Sequence, residues 1–161
     1  MFFKQADIFW GLDNDFVKKI MDTGQKMDYD KGHVLFQENH PADFFYVMVK
    51  GRVKLYLGET GQVVHLVTHG GEAFGWSSLI GRDVYSASAE CMEPTRLIFF
   101  NRDSVREILE SDPSNGMIFY QRLAGTLGNR LIQSYRTFSK ASEAESAVST
   151  GSGQFSKQAV V

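Results

Sequence analysis

Apolar positions along the chain change their period twice. Between residues 6 and 24, Phe16, Val17, Ile20 and Met21 recur at helical spacing behind Asp13 and Asn14. Either of those two residues can cap a helix, so this stretch predicts a short helical lead-in. The Phe9-Trp10-Gly11-Leu12 segment before it is expected to tuck its aromatics against the next layer. From residue 27 to 100 the helical period disappears. Val34-Leu35-Phe36, Phe44 to Val49, Val53 to Leu57, Val63 to Val67 and Arg96 to Phe100 read as short strands. Turn signals separate them at Asp30-Lys31-Gly32, Glu38-Asn39-His40-Pro41, Lys50-Gly51, Gly58-Glu59-Thr60-Gly61 and His69-Gly70-Gly71. Short strands with turns about every eight to twelve residues predict a mainly β fold, an antiparallel β-roll or jelly-roll (cupin-like) barrel over about 27–100. Gly51 and Gly61 are expected at φ > 0 in tight hairpins. The pairs Phe44-Phe45 and Phe99-Phe100 predict strands packed on both faces.

Helical spacing returns near Asn101. Asp103 or Ser104 is expected to start a short helix through Leu109, and Ser111-Asp112-Pro113-Ser114 to break and recap the chain. A long helix follows, over about 114–138. Within it Tyr120, Ala124, Leu127, Leu131, Ser134 and Phe138 alternate at spacings of four and three, as in a two-stranded coiled-coil seam. Gly125 and Gly128 allow close approach of a second helix, while Phe119 and Leu123 lie on another side and face inward. The two stripes are compatible, and together they predict a homodimer; the alternative is a helix packed only on its own barrel. After Phe138 the composition turns to Ser, Ala, Gly, Glu and Lys, and 139–161 is expected to be a flexible Ser-rich tail that buries too little apolar surface to offset its ordering entropy. The expected organisation is therefore one domain over 1–138 followed by that tail.

Composition adds limits. The 161 residues suffice for a core without metal or disulfide support, and 43% hydrophobic with 22% charged residues are ordinary globular values. A net charge of −2 gives no global attraction to nucleic acid or anionic membrane. The lone cysteine, Cys91, excludes an internal disulfide and fits a reducing compartment. The first residues lack the apolar core of a signal peptide and no run reaches membrane-spanning length, so the expected location is the cytoplasm.

The densest chemistry lies in Gly71-Glu72-Ala73-Phe74-Gly75-Trp76-Ser77-Ser78-Leu79-Ile80 and in Tyr85-Ser86-Ala87-Ser88-Ala89. Strand, glycine turn, short helix and returning strand would aim several backbone N–H groups at one point, as in an anion cradle. Trp76 places a large aromatic inside it, and no basic residue opens the returning strand.

Taken in order, these residues resemble the cyclic-nucleotide-binding domain of the catabolite-activator and fumarate-nitrate-regulator group of bacterial sensors. Lys31-Gly32-His33-Val34-Leu35-Phe36-Gln37-Glu38-Asn39 is similar to the first barrel hairpin of that family. The stretch from Ala42 to Val53 is similar to the strand that ends in its glycine turn, and Phe74-Gly75 opens what looks like its phosphate-binding cassette. The resemblance runs from about residue 6 to 138. It implies a ligand site at Phe74, Gly75, Trp76, Ser77, Ser78, Arg82, Tyr85, Ser86 and Ala87, with Ser134 and Tyr135 on the long helix as reporting contacts. Two positions depart from the pattern that the resemblance implies: Trp76 stands where a Glu takes the ribose hydroxyl, and Tyr85 where an Arg neutralises the cyclic phosphate. Losing that charge-assisted bond costs roughly 1.5–3 kcal/mol, about one to two decades of affinity. Arg82 could supply the charge from the loop, or be a solvated loop arginine. Asn39 replaces a turn glycine but tolerates φ > 0.

Other chemistry finds less support. His65 and His69 are four apart in a strand-and-turn region and share no helix face, so no metal site is expected. His40 beside Pro41 reads as solvated, and Cys91 reads as a buried inert thiol. Haem binds some relatives of this fold, but no local attachment site marks it here. With no nucleophile–base set and no helix-turn-helix after the long helix, neither catalysis nor direct DNA binding is expected. The sequence thus predicts a non-catalytic regulatory sensor for a small-molecule effector other than cyclic AMP, or one that binds cyclic nucleotide weakly, with a protein partner supplying any output. The alternatives are a true cyclic AMP or cyclic GMP receptor with a rearranged cassette, and an interaction scaffold with an occluded pocket.

Overall fold

Alternation along the strands decides where the core lies. On the strand Phe44–Lys50, Tyr46 and Met48 turn to one face, while Phe45 and Val47 turn to the other and are equally buried. The first face meets Val53, Leu55, Val67, Phe74, Ala89, Cys91 and Leu97 in a single apolar cluster. On the second, Phe45 stacks on Phe100 with ring centroids 5.1 Å apart. Both faces of this strand are therefore packed, as the sequence predicted, although Phe44 at its start is 36% exposed.

The computed structural model describes residues 7–151. A 3-10 turn, Asp7–Phe9, leads into α1 (Asn14–Thr23). The strands are β1 (Gln25–Tyr29), β2 (Val34–Phe36), β3 (Phe44–Lys50), β4 (Val53–Leu57), β5 (Gln62–Val67), β6 (Ala73–Phe74), β7 (Ser88–Cys91) and β8 (Thr95–Asn101). A short 3-10 helix, Trp76–Leu79, lies between β6 and β7, and α2 (Arg102–Ser111) and α3 (Pro113–Gly151) follow β8. The strands form two four-stranded sheets, ordered β1-β8-β3-β6 and β2-β7-β4-β5, with every pairing antiparallel. The apolar cluster draws on both sheets and so lies between them, which is the expected antiparallel roll.

Turn geometry depends on a few backbones. Gly51 has φ 120°, and a Cβ there would come within 2.7 Å of the Thr95 backbone, so only glycine fits the β3–β4 turn. Gly61 has φ 68° as predicted, and Asn39 supplies φ 65° where a glycine would be usual.

Several expectations change at the element ends. β1 carries no alternating apolar signal and is mostly exposed; it is set by its register on β8, from Gln25 opposite Phe99 to Tyr29 opposite Thr95, and by a bidentate Arg96–Asp28 pair at 2.6 and 2.8 Å. Asn101, rather than Asp103 or Ser104, caps α2: its side chain accepts from the N–H groups of Asp103 and Ser104 at 3.0 and 3.3 Å. Asp13 does sit at the N-cap of α1 but makes no side-chain cap bond. Its carboxylate instead accepts from the buried Asn115 amide at 3.0 Å, and its own N–H donates back to Asn115 Oδ1 at 3.1 Å. The same Asn115 amide donates to Asp112 at 2.8 Å, which ties the starts of α1 and α3 together.

The long helix is longer than predicted. Residues 139–151, expected to begin a flexible tail, continue α3. The physical reason is that a helix satisfies its own backbone without burying a side chain, and Ala141, Glu143, Ala144, Glu145 and Ala147 are strong helix formers. The remainder of that tail, 152–161, lies outside the described residues.

The chain divides into two units at Leu123–Ala124. In the first, Phe119 and Leu123 are buried, as expected of the inward stripe, with the Phe119 ring 6.3 Å from Phe9. In the second, the helix presents Leu131, Ile132, Tyr135 and Phe138 as exposed side chains.

Candidate functional site

The cassette begins where β6 ends. Gly75 takes φ 74°, and a Cβ on it would lie 3.1 Å from the Tyr46 ring and 3.2 Å from the Phe44 carbonyl. A left-handed backbone pressed this closely on β3 accepts only glycine. It acts as N-cap to the 3-10 helix without offering a side chain, so the first N–H groups of Trp76–Leu79 have no side-chain cap. Ser78 is buried and turns its hydroxyl back to the Gly75 carbonyl at 2.9 Å, which spends it on the turn. Ser77 is also buried, and its carbonyl accepts from Arg82 N–H at 3.3 Å, closing the loop. Trp76 is half-buried at the head of the helix.

The return segment is zipped to the β2–β3 loop. Ala42 N–H donates to the Asp83 carbonyl, Tyr85 N–H to His40, and Asn39 N–H to Tyr85, all between 2.9 and 3.0 Å. The Ser88 hydroxyl accepts from Glu38 N–H at 2.9 Å. Arg102 adds a weaker tie, with its guanidinium 3.4 Å from the Ala42 carbonyl and 3.5 Å from that of Arg82. β7 starts only at Ser88, so Tyr85, Ser86 and Ala87 form the approach to the strand rather than the strand itself.

Tyr85 is the decisive residue. It is 3% exposed and its ring stacks on Phe36 at 3.8 Å between centroids, 15° from parallel. Its hydroxyl donates to the Phe44 carbonyl at 2.6 Å and accepts from Phe44 N–H at 3.1 Å. Tyr46, on the same face of β3, stacks its ring on Phe74 at 5.2 Å. Burial pushes the Tyr85 phenol up to about 12, although its bond with the Phe44 backbone opposes the shift. Burial likewise raises Tyr46. These phenols are neutral packing groups that tie the cassette's return to β3.

The other predicted residues separate clearly. Ser86 and Ala87 are half-buried, and the Ser86 hydroxyl has no hydrogen-bond partner among the described residues. Arg82 is exposed beside Gly81 at φ 77°; its side chain likewise has no ion pair or hydrogen bond among the described residues. Ser134 and Tyr135 belong to the second unit, where the Ser134 hydroxyl is committed to the Arg130 carbonyl at 3.0 Å and Tyr135 is 63% exposed. Tyr120, in the first unit, reaches the Leu79 carbonyl at 3.4 Å, so this seam residue also touches the end of the cassette helix.

One pair was missed by sequence reasoning. His65 Nε2 lies 2.7 Å from Glu72, whose second oxygen accepts from Thr68 N–H at 3.1 Å, with His69 3.9 Å away. This links β5 to the turn that leads into the cassette. A fixed spacing between His65 and Glu72 carried no helical meaning, and only the β5–β6 turn brings them together. Among the described residues no group of three or more His, Cys, Asp or Glu side chains could hold a metal ion. The Cys91 thiol is buried, and desolvation raises its pKa, which agrees with the inert reading.

The ordered glycines, the two-sheet roll and the strand–helix–strand cassette agree with a family profile. The profile of the cyclic nucleotide-binding domain matches residues 26–112, more than half of the chain. The chain belongs to the cyclic nucleotide-binding domain family. It is 26% identical over 111 residues to a CRP-like cAMP-activated global transcriptional regulator of Mycobacterium tuberculosis, covering 68% of this chain and 50% of that protein. It is also 28% identical over 112 residues to a cGMP-dependent protein kinase of Caenorhabditis elegans, covering 67% of this chain and 14% of the kinase. The chain thus spans half or less of these two relatives. Among solved structures, the catabolite activator protein of Thermus thermophilus superposes with a TM-score of 0.68 at 25% identity, over 85% of this chain and 63% of that one. A cyclic nucleotide-binding domain from Methylobacillus flagellatus gives 0.72 at 23% identity, over 84% and 81%, and supports the fold. Among the described residues, no helix of this family member is long and apolar enough to cross a membrane.

Proposed function

We propose that this domain is a non-catalytic sensor whose cassette takes a small effector other than cyclic AMP, or holds cyclic nucleotide only weakly. The observation that carries this reading is Tyr85. The resemblance implies a cation there, and a buried phenol bonded to the Phe44 backbone occupies the place instead. An anion entering the cassette would find backbone N–H groups and the unpartnered Ser86 hydroxyl, but no fixed positive charge from this position. Trp76 adds an aromatic surface where a carboxylate would meet ribose, which suits a planar, weakly charged effector.

A second reading rests on Arg82. Its side chain has no partner among the described residues and stands on a loop three residues before Tyr85, so it is free to swing toward a phosphate. Calorimetry with cyclic AMP and cyclic GMP separates the two. The first predicts binding weaker than micromolar; micromolar or tighter binding that disappears in Arg82→Ala would replace it with the second. Native mass spectrometry of the purified protein would reveal a co-purifying effector directly.

The domain acts as a homodimer through α3 in this proposal. Leu131, Ile132, Tyr135 and Phe138 are exposed on the helix, and Leu131, Tyr135 and Phe138 fall at i, i+4 and i+7, a stripe that Ser134 would leave weaker. Output through a protein partner follows from binding that differs between two states of that dimer.

A further inference from the structure

A groove of about 420 Å³ opens where β2, the β2–β3 loop and the start of β3 meet Tyr85 of the cassette's return segment. Its walls include Phe36, Phe44, Tyr46 and Tyr85, with His40 and Asp43 also lining it. Tyr85 alone is shared with the cassette residues. The volume falls within the range of about 300–1,000 Å³ common to small-ligand sites.

We propose that this groove is a second ligand site, selective for a small organic cation such as an arylammonium or alkylammonium compound. Charge complementarity carries the assignment. Asp43 supplies a carboxylate that no described residue donates to or pairs with, and no lysine or arginine lines the groove. Arg102 is a spatial neighbour, since its backbone N–H donates to the Asp43 carbonyl at 2.9 Å. Its guanidinium, however, faces the Ala42 and Arg82 carbonyls and lies 3.6 Å from Asp103, and it is not part of the lining. Phe44, 36% exposed, and the half-buried Phe36 offer aromatic surface to a desolvated cation and its apolar body, while Tyr46 and Tyr85, 5% and 3% exposed, pack behind them. An anion would meet the Asp43 carboxylate with no lysine or arginine in the lining to offset it.

The walls are also set in advance. The backbone bonds joining Asn39, His40 and Ala42 to Asp83 and Tyr85 fix the loop, and the Tyr85 hydroxyl is fixed to Phe44. A preformed site loses little ordering entropy on binding.

The test is calorimetric titration with benzyltrimethylammonium, using benzyl alcohol and benzoate as neutral and anionic controls carrying the same ring. Saturable binding of the cation alone is expected. It should weaken about tenfold in Asp43→Asn, from loss of a charge-assisted contact, and stay unchanged in Trp76→Phe. Absence of saturable binding, equal binding of either control, or an unaltered Asp43→Asn variant overturns the proposal. So does loss of binding in Trp76→Phe with Asp43→Asn unchanged, which would move the ligand to the cassette. Asp43 is exposed, so its substitution leaves the core intact. Independently of any variant, ring-proton shifts of Phe44 and Tyr85 in the wild-type protein must move with the titration; shifts confined elsewhere overturn it as well.

Discussion

Tyr85 joins packing and function in one side chain. Replacing it by Phe keeps the stack on Phe36 but removes both bonds to the Phe44 backbone. Partly buried backbone groups left without a partner cost about 1–3 kcal/mol, so Tyr85→Phe should lower the unfolding free energy by that much, read in urea as a lower midpoint at unchanged slope. The same residue sets an alkaline limit. A phenol whose folded value is raised from near 10 to about 12 favours folding fully below the unfolded value, and that contribution is lost as the pH rises through the folded one. Stability should therefore fall between about pH 10 and 12, and Tyr85→Phe should flatten part of that decline in melts across the range; a parallel curve would remove Tyr85 from the explanation. The sequence made Tyr85 conspicuous because it stands where the resemblance implies a cation. It could not reveal where the ring points, since that depends on Phe36 and Phe44, both more than forty residues away.

At the level of elements, legibility followed local signal. β3 and β4 were plain from their apolar runs and glycine turns, whereas β1 was hidden because its edge position leaves nearly every side chain in water. The extension of α3 was hidden as well: 139–145 are exposed and carry no apolar stripe, so only helix propensity marks them. Helix starts were misplaced where a neighbouring residue took the cap. Asn101→Ala should cost about 1 kcal/mol, the usual price of an N-cap, whereas Asp103→Ala should cost less in the same denaturant series. Asn115→Ala should cost about 2–3 kcal/mol, because it releases both Asp13 and Asp112 and leaves the Asp13 N–H without its acceptor. The Asn115 amide also holds the Asp112 carboxyl below its ordinary value. A depressed carboxylate stabilises above its unfolded pKa and loses that contribution as the pH falls through the folded one, so the acid limb of the stability curve should be shallower in Asn115→Ala.

For the whole molecule the unresolved coupling lies between effector and assembly. The cassette residues belong to the first unit, while Leu131, Tyr135 and Phe138 of the proposed seam belong to the second. A helix that leaves Phe138 77% exposed carries apolar area that a second copy would remove from water, at about 1.5–3 kcal/mol per fully buried side chain. Because each substitution acts twice in a two-fold dimer, Phe138→Ala or Leu131→Glu should weaken association by the effect of two side chains. Sedimentation equilibrium at tens of micromolar should find the wild type dimeric and Leu131→Glu shifted to monomer. A wild-type monomer, or a Leu131→Glu dimer of unchanged strength, would remove the seam. Linkage then makes the sensor reading measurable without knowing its output. If an effector binds the dimer and monomer with different affinities, it must shift the dimer constant by the same ratio per site. An effector found by native mass spectrometry that binds Leu131→Glu monomer and wild-type dimer equally would be a bound molecule without a signal through α3, and the domain's response would have to travel by a different element.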